Sequence, residues 1–367
     1  MELFDFKSGY RGDKLRLARM ARGLSCEELA TALGKSKQYI SKLEKGFKPS
    51  EELTDEIARH LNILPNFLFS ERSYPIEDEQ CHFRSKKSRT KTLTNSILAR
   101  AEILSSLLSA LEDEIEYPEL NIPDISDRAM STLDDIERIA ESCRRYWGIG
   151  LGPITSMVKF VENLGIIIAH VSDVDDRVDA FTVNSKRPII IRNDAKSSVC
   201  RFRSDIGHEL GHIVLHDGII TGDNLTESQA NQFSSAFMVP RVSFMKEFPK
   251  MKGRYLDWSA LVEFKLRWRV SLRMIIYRAS ALGLITKDQA RQGYMYLNTK
   301  GYTAIEPGDN SIQVEEPTLL TRSIEMLDDL SWNNILVKTG ITRELVRELF
   351  CVNKPISDKT SFIYSVS

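Results

Sequence analysis

Three histidines fall within nine residues, and two of them bracket a glutamate in the string His208-Glu209-Leu210-Gly211-His212. On a helix, residues four apart share a face, so His208 and His212 can bind one zinc ion through their imidazole nitrogens. Glu209 is turned about 100° away and can serve as proton acceptor for the attacking water. Zinc catalysis also needs a third protein ligand and an open position. His216 lies about 12 Å along a continuous helix from His208, too far to share an ion at roughly 2.1 Å from each nitrogen, so it is expected to support a ligand or to pack. Glu227 is the better third ligand. It begins a further helical stretch fifteen residues after His212, and a helix-loop-helix return brings its carboxylate opposite the histidine pair. Asn231, one turn on, faces the same site and can accept the second ring N–H of a ligating histidine. Arg203 and Tyr277 qualify as oxyanion donors by type, but no spacing selects either.

A second group could read nucleic acid. Ser25 with Glu28 forms a capping box for a helix that stops at Gly34, and Ser36 caps the next helix, which carries Ile40 and Leu43 and closes at Gly46. Two helices of this length and turn can form a helix-turn-helix, whose second helix enters the major groove by its N-terminal residues. Lys37, Gln38, Ser41 and Lys42 then stand at the groove, Gln38 suited to adenine and the lysines to guanine or phosphate. Between Lys7 and Lys48 there are eleven Lys/Arg against four Asp/Glu. The positive charge is therefore local, because the whole chain of 367 residues has a net charge of −1.

That balance excludes a uniformly basic nucleic-acid coat, and the length implies two or three domains. With 42% hydrophobic and 28% charged residues, the composition is that of a globular chain rather than a disordered one. No run approaches the roughly 18 apolar residues of a membrane span, and the acidic start is no secretory signal, so a cytoplasmic protein is expected. The five cysteines are scattered without a CxxC pair, which argues against a disulfide framework or a cysteine zinc knuckle. The basic stretch Arg84–Lys91 reads as a solvated hinge.

The spacing predicts a multi-domain, mainly α chain with one small α+β domain. Residues 1–72 form a five-helix, helix-turn-helix bundle with Leu15, Ala18 and Ala21 as its first apolar stripe. Residues 73–150 form a linker and helical scaffold. Residues 151–250 hold the metal site, preceded by short strands at Ile166–Val171, Asp179–Val183 and Pro188–Arg192, either of the first two able to offer a substrate-binding edge. Residues 251–367 are helical, and their last fifty residues form a small, separate tail, for packing or oligomerisation.

The residues RGDKLRLARMARGLSCEELATALGKSKQYISKLEKG, followed by LTDEIARHLNILPNFLF, resemble the XRE family of phage-repressor-like DNA-binding domains. One departure stands out: Cys26 occupies the start of the second helix, where many members carry a Gln that braces the recognition helix against phosphate. The string RFRSDIGHELGHIVLH, followed by ESQANQFSSAFMVP, resembles the ImmA/IrrE family of zinc metallopeptidases. That resemblance implies a zincin-like domain with His208, His212 and Glu227 as ligands and Glu209 as base. Many relatives carry an acid where this chain has Gln229, a departure expected to lie off the metal-binding face. The fusion implies a regulator of a stress, phage or defence locus that binds a double-stranded operator as a homodimer and cleaves a partner repressor or itself. Two alternatives remain open: a metallo-domain that senses or docks without turnover, and an antitoxin-like autoregulator that binds a toxin.

Overall fold

The computed structural model describes residues 9–70, 72, 75–76, 81–83, 91–171, 180–183, 186–193, 198–219 and 221–352. Apart from Lys91, the basic stretch lies outside the described residues, as does Asp179 of the second expected strand.

The chain opens with helices α1 (Gly12–Ala21), α2 (Cys26–Ala32), α3 (Lys37–Glu44) and α4 (Glu51–Leu61). Side-chain oxygens of Ser25, Ser36 and Ser50 accept the orphan N–H groups at the starts of α2, α3 and α4, and Glu28 completes the capping box. Leu15, Ala18 and Ala21 are buried with Ile40, Leu43, Ile57 and Leu61. In place of a fifth α-helix there is a 3-10 turn at Pro65–Phe69, which sends Phe67 and Leu68 into this core. The next helix, α5 (Lys91–Glu112), belongs to the same core rather than to a spacer, and Arg100 donates to the Ala21 carbonyl at 2.8 Å.

A second core gathers α6 (Leu133–Tyr146), α7 (Met157–Asn163), α8 (Val199–Leu215), α9 (Asn224–Met238), α10 (Arg241–Glu247), α11 (Trp258–Trp268), α12 (Leu272–Ala281) and α13 (Lys287–Thr299). Between the two cores stands a sheet of β1 (Cys81–Phe83), β2 (Ile167–Val171), β3 (Ala180–Val183) and β4 (Ile189–Asn193), in the order β1-β3-β4-β2. β4 pairs antiparallel with β3 and parallel with β2. The three expected strands are present, whereas β1 comes from the expected linker, three residues being too few to show an alternation. β3 is paired on both sides, so of the two strands expected to offer an edge only β2 lies at one.

Alternation along these strands divides the side chains between the cores. Ile167, Ala169, Phe181, Val183, Ile189 and Ile191 join the core of the N-terminal helices, while Ile168 and Ile190 join that of α8 and α9.

The C-terminal helices α14 (Leu319–Met326), α15 (Asp329–Thr339) and α16 (Arg343–Phe350) are not a separate tail. Their buried residues, Trp332, Ile335, Leu345 and Phe350 among them, lie in the core of the N-terminal helices. Leu64 N–H donates to the Gly340 carbonyl at 2.8 Å, and Glu348 holds both Arg22 and Asn62. Gly340 has φ +73°, and a Cβ there would stand 2.6 Å from Phe67 Cα, so the α15–α16 turn fits against the 3-10 turn only as glycine. Among the described residues no helix is long and apolar enough to cross a membrane.

Candidate metal centre

The HExxH residues occupy the middle of α8, which starts on Ser198 as a side-chain cap. α9 starts on Asp223, whose carboxylate accepts from Thr226 N–H at 2.7 Å, and places Glu227 in its first turn. The two helices run antiparallel and close together, because α8 presents Gly207 and Gly211 to α9. A Cβ on Gly207 would stand 2.8 Å from Ser234 Oγ, and one on Gly211 would stand 3.3 Å from Ala230 Cα. This approach brings Glu227 to the histidine pair.

Donor atoms of His208, His212 and Glu227 lie within 4.8 Å of one another. His208 Nε2 and His212 Nε2 are 3.1 Å apart, and each is 3.4 Å from an oxygen of Glu227. Glu227 Oε1 is buried without a hydrogen-bond partner among the described residues, the 3.4 Å approach of His212 lacking hydrogen-bond geometry.

Hydrogen bonds behind the ligands assign the imidazole protons. Asn231 Oδ1 lies 3.1 Å from His208 Nδ1 and accepts its N–H, leaving a lone pair at Nε2. On the other histidine the chain is longer. Gln229 Nε2 donates to the Met130 carbonyl at 2.9 Å, which turns Gln229 Oε1 toward His216 Nε2 at 2.9 Å. His216 Nε2–H donates to that oxygen, so His216 Nδ1 accepts from His212 Nδ1–H at 3.0 Å, and His212 Nε2 keeps its lone pair. Burial pushes the His216 pKa down, in keeping with a neutral ring. His216 therefore sits behind His212 and outside the donor cluster. Gln229 lies outside the donor cluster but orients His216 and through it His212.

Two lone pairs and an ionised carboxylate pointed at one another repel unless a cation lies between them. The residues therefore fit a single metal ion with three protein ligands. Glu209, 1% exposed, stands on the adjoining face of α8 and accepts a 2.7 Å hydrogen bond from Thr182 Oγ1 of β3. Thr182 carried no sequence signal, because its role arises only when β3 crosses α8. Arg203 is unavailable as an oxyanion donor: it is fully buried and engaged by Glu315 and the carbonyls of Ile154 and Arg269. Tyr277 lines a cavity that also includes Asn231.

In the N-terminal segment, Lys37, Gln38 and Lys42 of α3 are exposed and Ser41 is half-exposed, while Ile40 and Leu43 of the same helix are buried. Lys37 pairs with Glu27 at 3.4 Å, an exposed contact of little energetic weight. Cys26 turns inward, its Sγ 3.7 Å from Glu44, which also binds Arg19 at 2.5 Å. The start of α2 therefore lacks the outward amide of the resembling family.

Residues 161–280 match the peptidase M78 family model, described as the IrrE N-terminal-like domain, and residues 15–68 match a helix-turn-helix model. The first match continues through α12, past the segment expected to hold the site. No curated protein matches the chain.

Proposed function

We propose, from the premise that the chain joins a helix-turn-helix segment to an IrrE-like peptidase segment, that it is a DNA-binding regulator with a zinc-dependent peptidase. Cleavage of a partner repressor, or of the chain itself, switches a stress, phage or defence locus. In this reading residues 1–72 contact the operator as a homodimer, and residues 151–250 carry the hydrolytic centre.

His208, His212 and Glu227 would hold the ion, an N₂O set suited to zinc with an open fourth position. Zinc, when bound, supplies a Lewis acid that polarises the scissile carbonyl and makes water nucleophilic near neutral pH. Glu209 takes the proton from the attacking water and returns it to the leaving amine. Thr182 positions Glu209 through its 2.7 Å hydrogen bond, and Asn231 and His216 hold the two imidazoles in the tautomers that leave Nε2 unprotonated.

The observation that carries the peptidase reading is the buried carboxylate of Glu209 beside the three converging donors, since a purely structural metal needs no such group. Incubating the zinc-loaded protein with a candidate partner repressor should give discrete cleavage products that a chelator abolishes. An intact repressor and an intact chain under inducing conditions would instead make the metallo-domain a sensor.

Metal content separates the ligands from their supports. His212→Ala and Glu227→Ala should each lose the ion. His216→Ala should retain one zinc per chain, with affinity weakened about 10–100-fold as expected for a partner behind a ligand. A His216→Ala protein without zinc, beside a fully loaded Glu227→Ala protein, would contradict this ligand set. For DNA, Gln38→Ala should relax base preference at one operator position. Lys42→Ala should weaken binding to all sequences and lower the salt slope by about one. Equal loss on every sequence for Gln38→Ala would remove α3 from base reading.

A further inference from the structure

A cavity of about 610 Å³ lies among α8, α9, α12 and α13 and shares Asn231 with the surroundings of the metal centre. The antiparallel helices meet in register: Glu227 lies against His212, Asn231 against His208, and Ser234 Oγ donates to the Ser204 carbonyl at 3.0 Å. Following α8 toward its N-terminus therefore leads from His208 to Asp205 and Arg201, which line the cavity with Asn231 of α9. Arg273 and Tyr277 of α12 and Tyr294 of α13 form another wall. Asn231 is common to the two sites, touching His208 on one side and facing the cavity on the other.

The lining carries two arginines and two carboxylates, and the arginines have no charged partner among the described residues. Arg201 is exposed and has no side-chain hydrogen bond or ion pair among the described residues. Among the described residues the Arg273 guanidinium bonds only the neutral Asn298 side chain, and it lies 6.0 Å from the centroid of the Tyr294 ring. Of the two carboxylates in the lining, Glu306 is bound by Leu272 N–H at 2.8 Å and by Lys265 at 2.8 Å, an ammonium it shares with Asp309 at 2.6 Å. Asp205 is buried in the wall and already engaged. Two guanidinium groups on different walls are thus left for an anion, with two tyrosine rings beside them.

We propose that this cavity is a specificity subsite that takes an acidic side chain, Asp or Glu, of the polypeptide cut at the metal centre. The inference rests on the peptidase reading and names its substrate class. Seven helical residues separate position 201 from position 208, an axial distance of about 10 Å. An extended peptide advances about 3.3 Å per residue, so the acidic residue lies about three positions from the scissile bond. Arg201 and Arg273 form charge-assisted hydrogen bonds with its carboxylate, and Asn231 marks the boundary between this subsite and the hydrolytic centre.

The test uses the full-length protein with Glu209→Gln, so that peptides bind without being consumed. Fluorescein-labelled peptides that differ only in carrying Glu, Gln or Lys three residues from the centre are titrated by anisotropy. The Glu peptide should bind about tenfold tighter than the Gln peptide, the ratio that one charge-assisted hydrogen bond supplies. Arg273→Gln should abolish that preference, and Arg201→Glu should shift it toward the Lys peptide, with unchanged thermal melting as the control for folding. Equal binding of Glu and Gln peptides, or a preference that survives both substitutions, overturns the proposal. So does binding of inorganic phosphate through these arginines without any preference among the peptides, which would make the cavity a small-anion site. The two readings fail separately: an arginine-dependent preference for the Glu peptide with no cleavage by the parent protein removes the peptidase, and cleavage without the preference removes the subsite.

Discussion

Replacing Glu209 with glutamine is expected to slow peptide-bond cleavage by about 10²–10⁴-fold, the usual contribution of a general base, while zinc content and operator affinity stay at parental values. The substitution is nearly isosteric, and an amide oxygen at this buried position can still accept from Thr182 Oγ1, as the carboxylate does at 2.7 Å. What the amide lacks is basicity. Thr182→Val should give a smaller loss, because the hydroxyl that holds the carboxylate in place is gone. Cleavage kinetics on the partner repressor, with metal analysis of the same preparations, check both. A Glu209→Gln protein that cleaves at the parental rate would take the base role from this residue.

Removing the carboxylate of Glu137 is expected to cost about 3–5 kcal/mol, the penalty for leaving one partner of a buried ion pair alone. Glu137 of α6 is 3% exposed and fully buried Arg278 of α12 donates to it at 2.6 and 3.1 Å. Gln232 of α9 donates to the same carboxylate at 3.0 Å, so one side chain joins three helices behind the metal centre. Glu137→Ala leaves the guanidinium in an apolar surround that includes the Phe244 ring. Chemical denaturation of the chain should show the loss in the transition that releases zinc. A change below about 1 kcal/mol would mean that water or a rearranged neighbour replaces the carboxylate.

The parts of the site carried by local spacing were legible in the sequence. His208 and His212 follow from helical period, and Glu227 and Asn231 from the start of the next helix. The caps Ser25, Ser36 and Ser50 mark the starts of α2, α3 and α4 for the same reason. What stayed hidden depends on contacts between distant segments. Thr182 meets Glu209 across twenty-seven residues, and Gln229 gains its role from the Met130 carbonyl ninety-nine residues earlier. The C-terminal helices read as a detached unit because their apolar positions name no partner. Only in the fold does Gly340 lie against Phe67 and Glu348 against Arg22. Three-residue β1 is too short for any periodicity, although it completes the sheet on which one face serves the metal centre and the other the N-terminal core.

Zinc K-edge X-ray absorption of the purified full-length protein, read together with its metal stoichiometry, tests the ligand set most directly. One zinc per chain is expected, with two imidazole nitrogens and one carboxylate oxygen at about 2.0–2.2 Å. The two-imidazole signal should disappear with the zinc in His212→Ala, and stay at two rings in His216→Ala. A spectrum that needs three imidazoles, or cysteine sulfur at about 2.3 Å, or a protein that holds no zinc, would contradict a centre built from His208, His212 and Glu227.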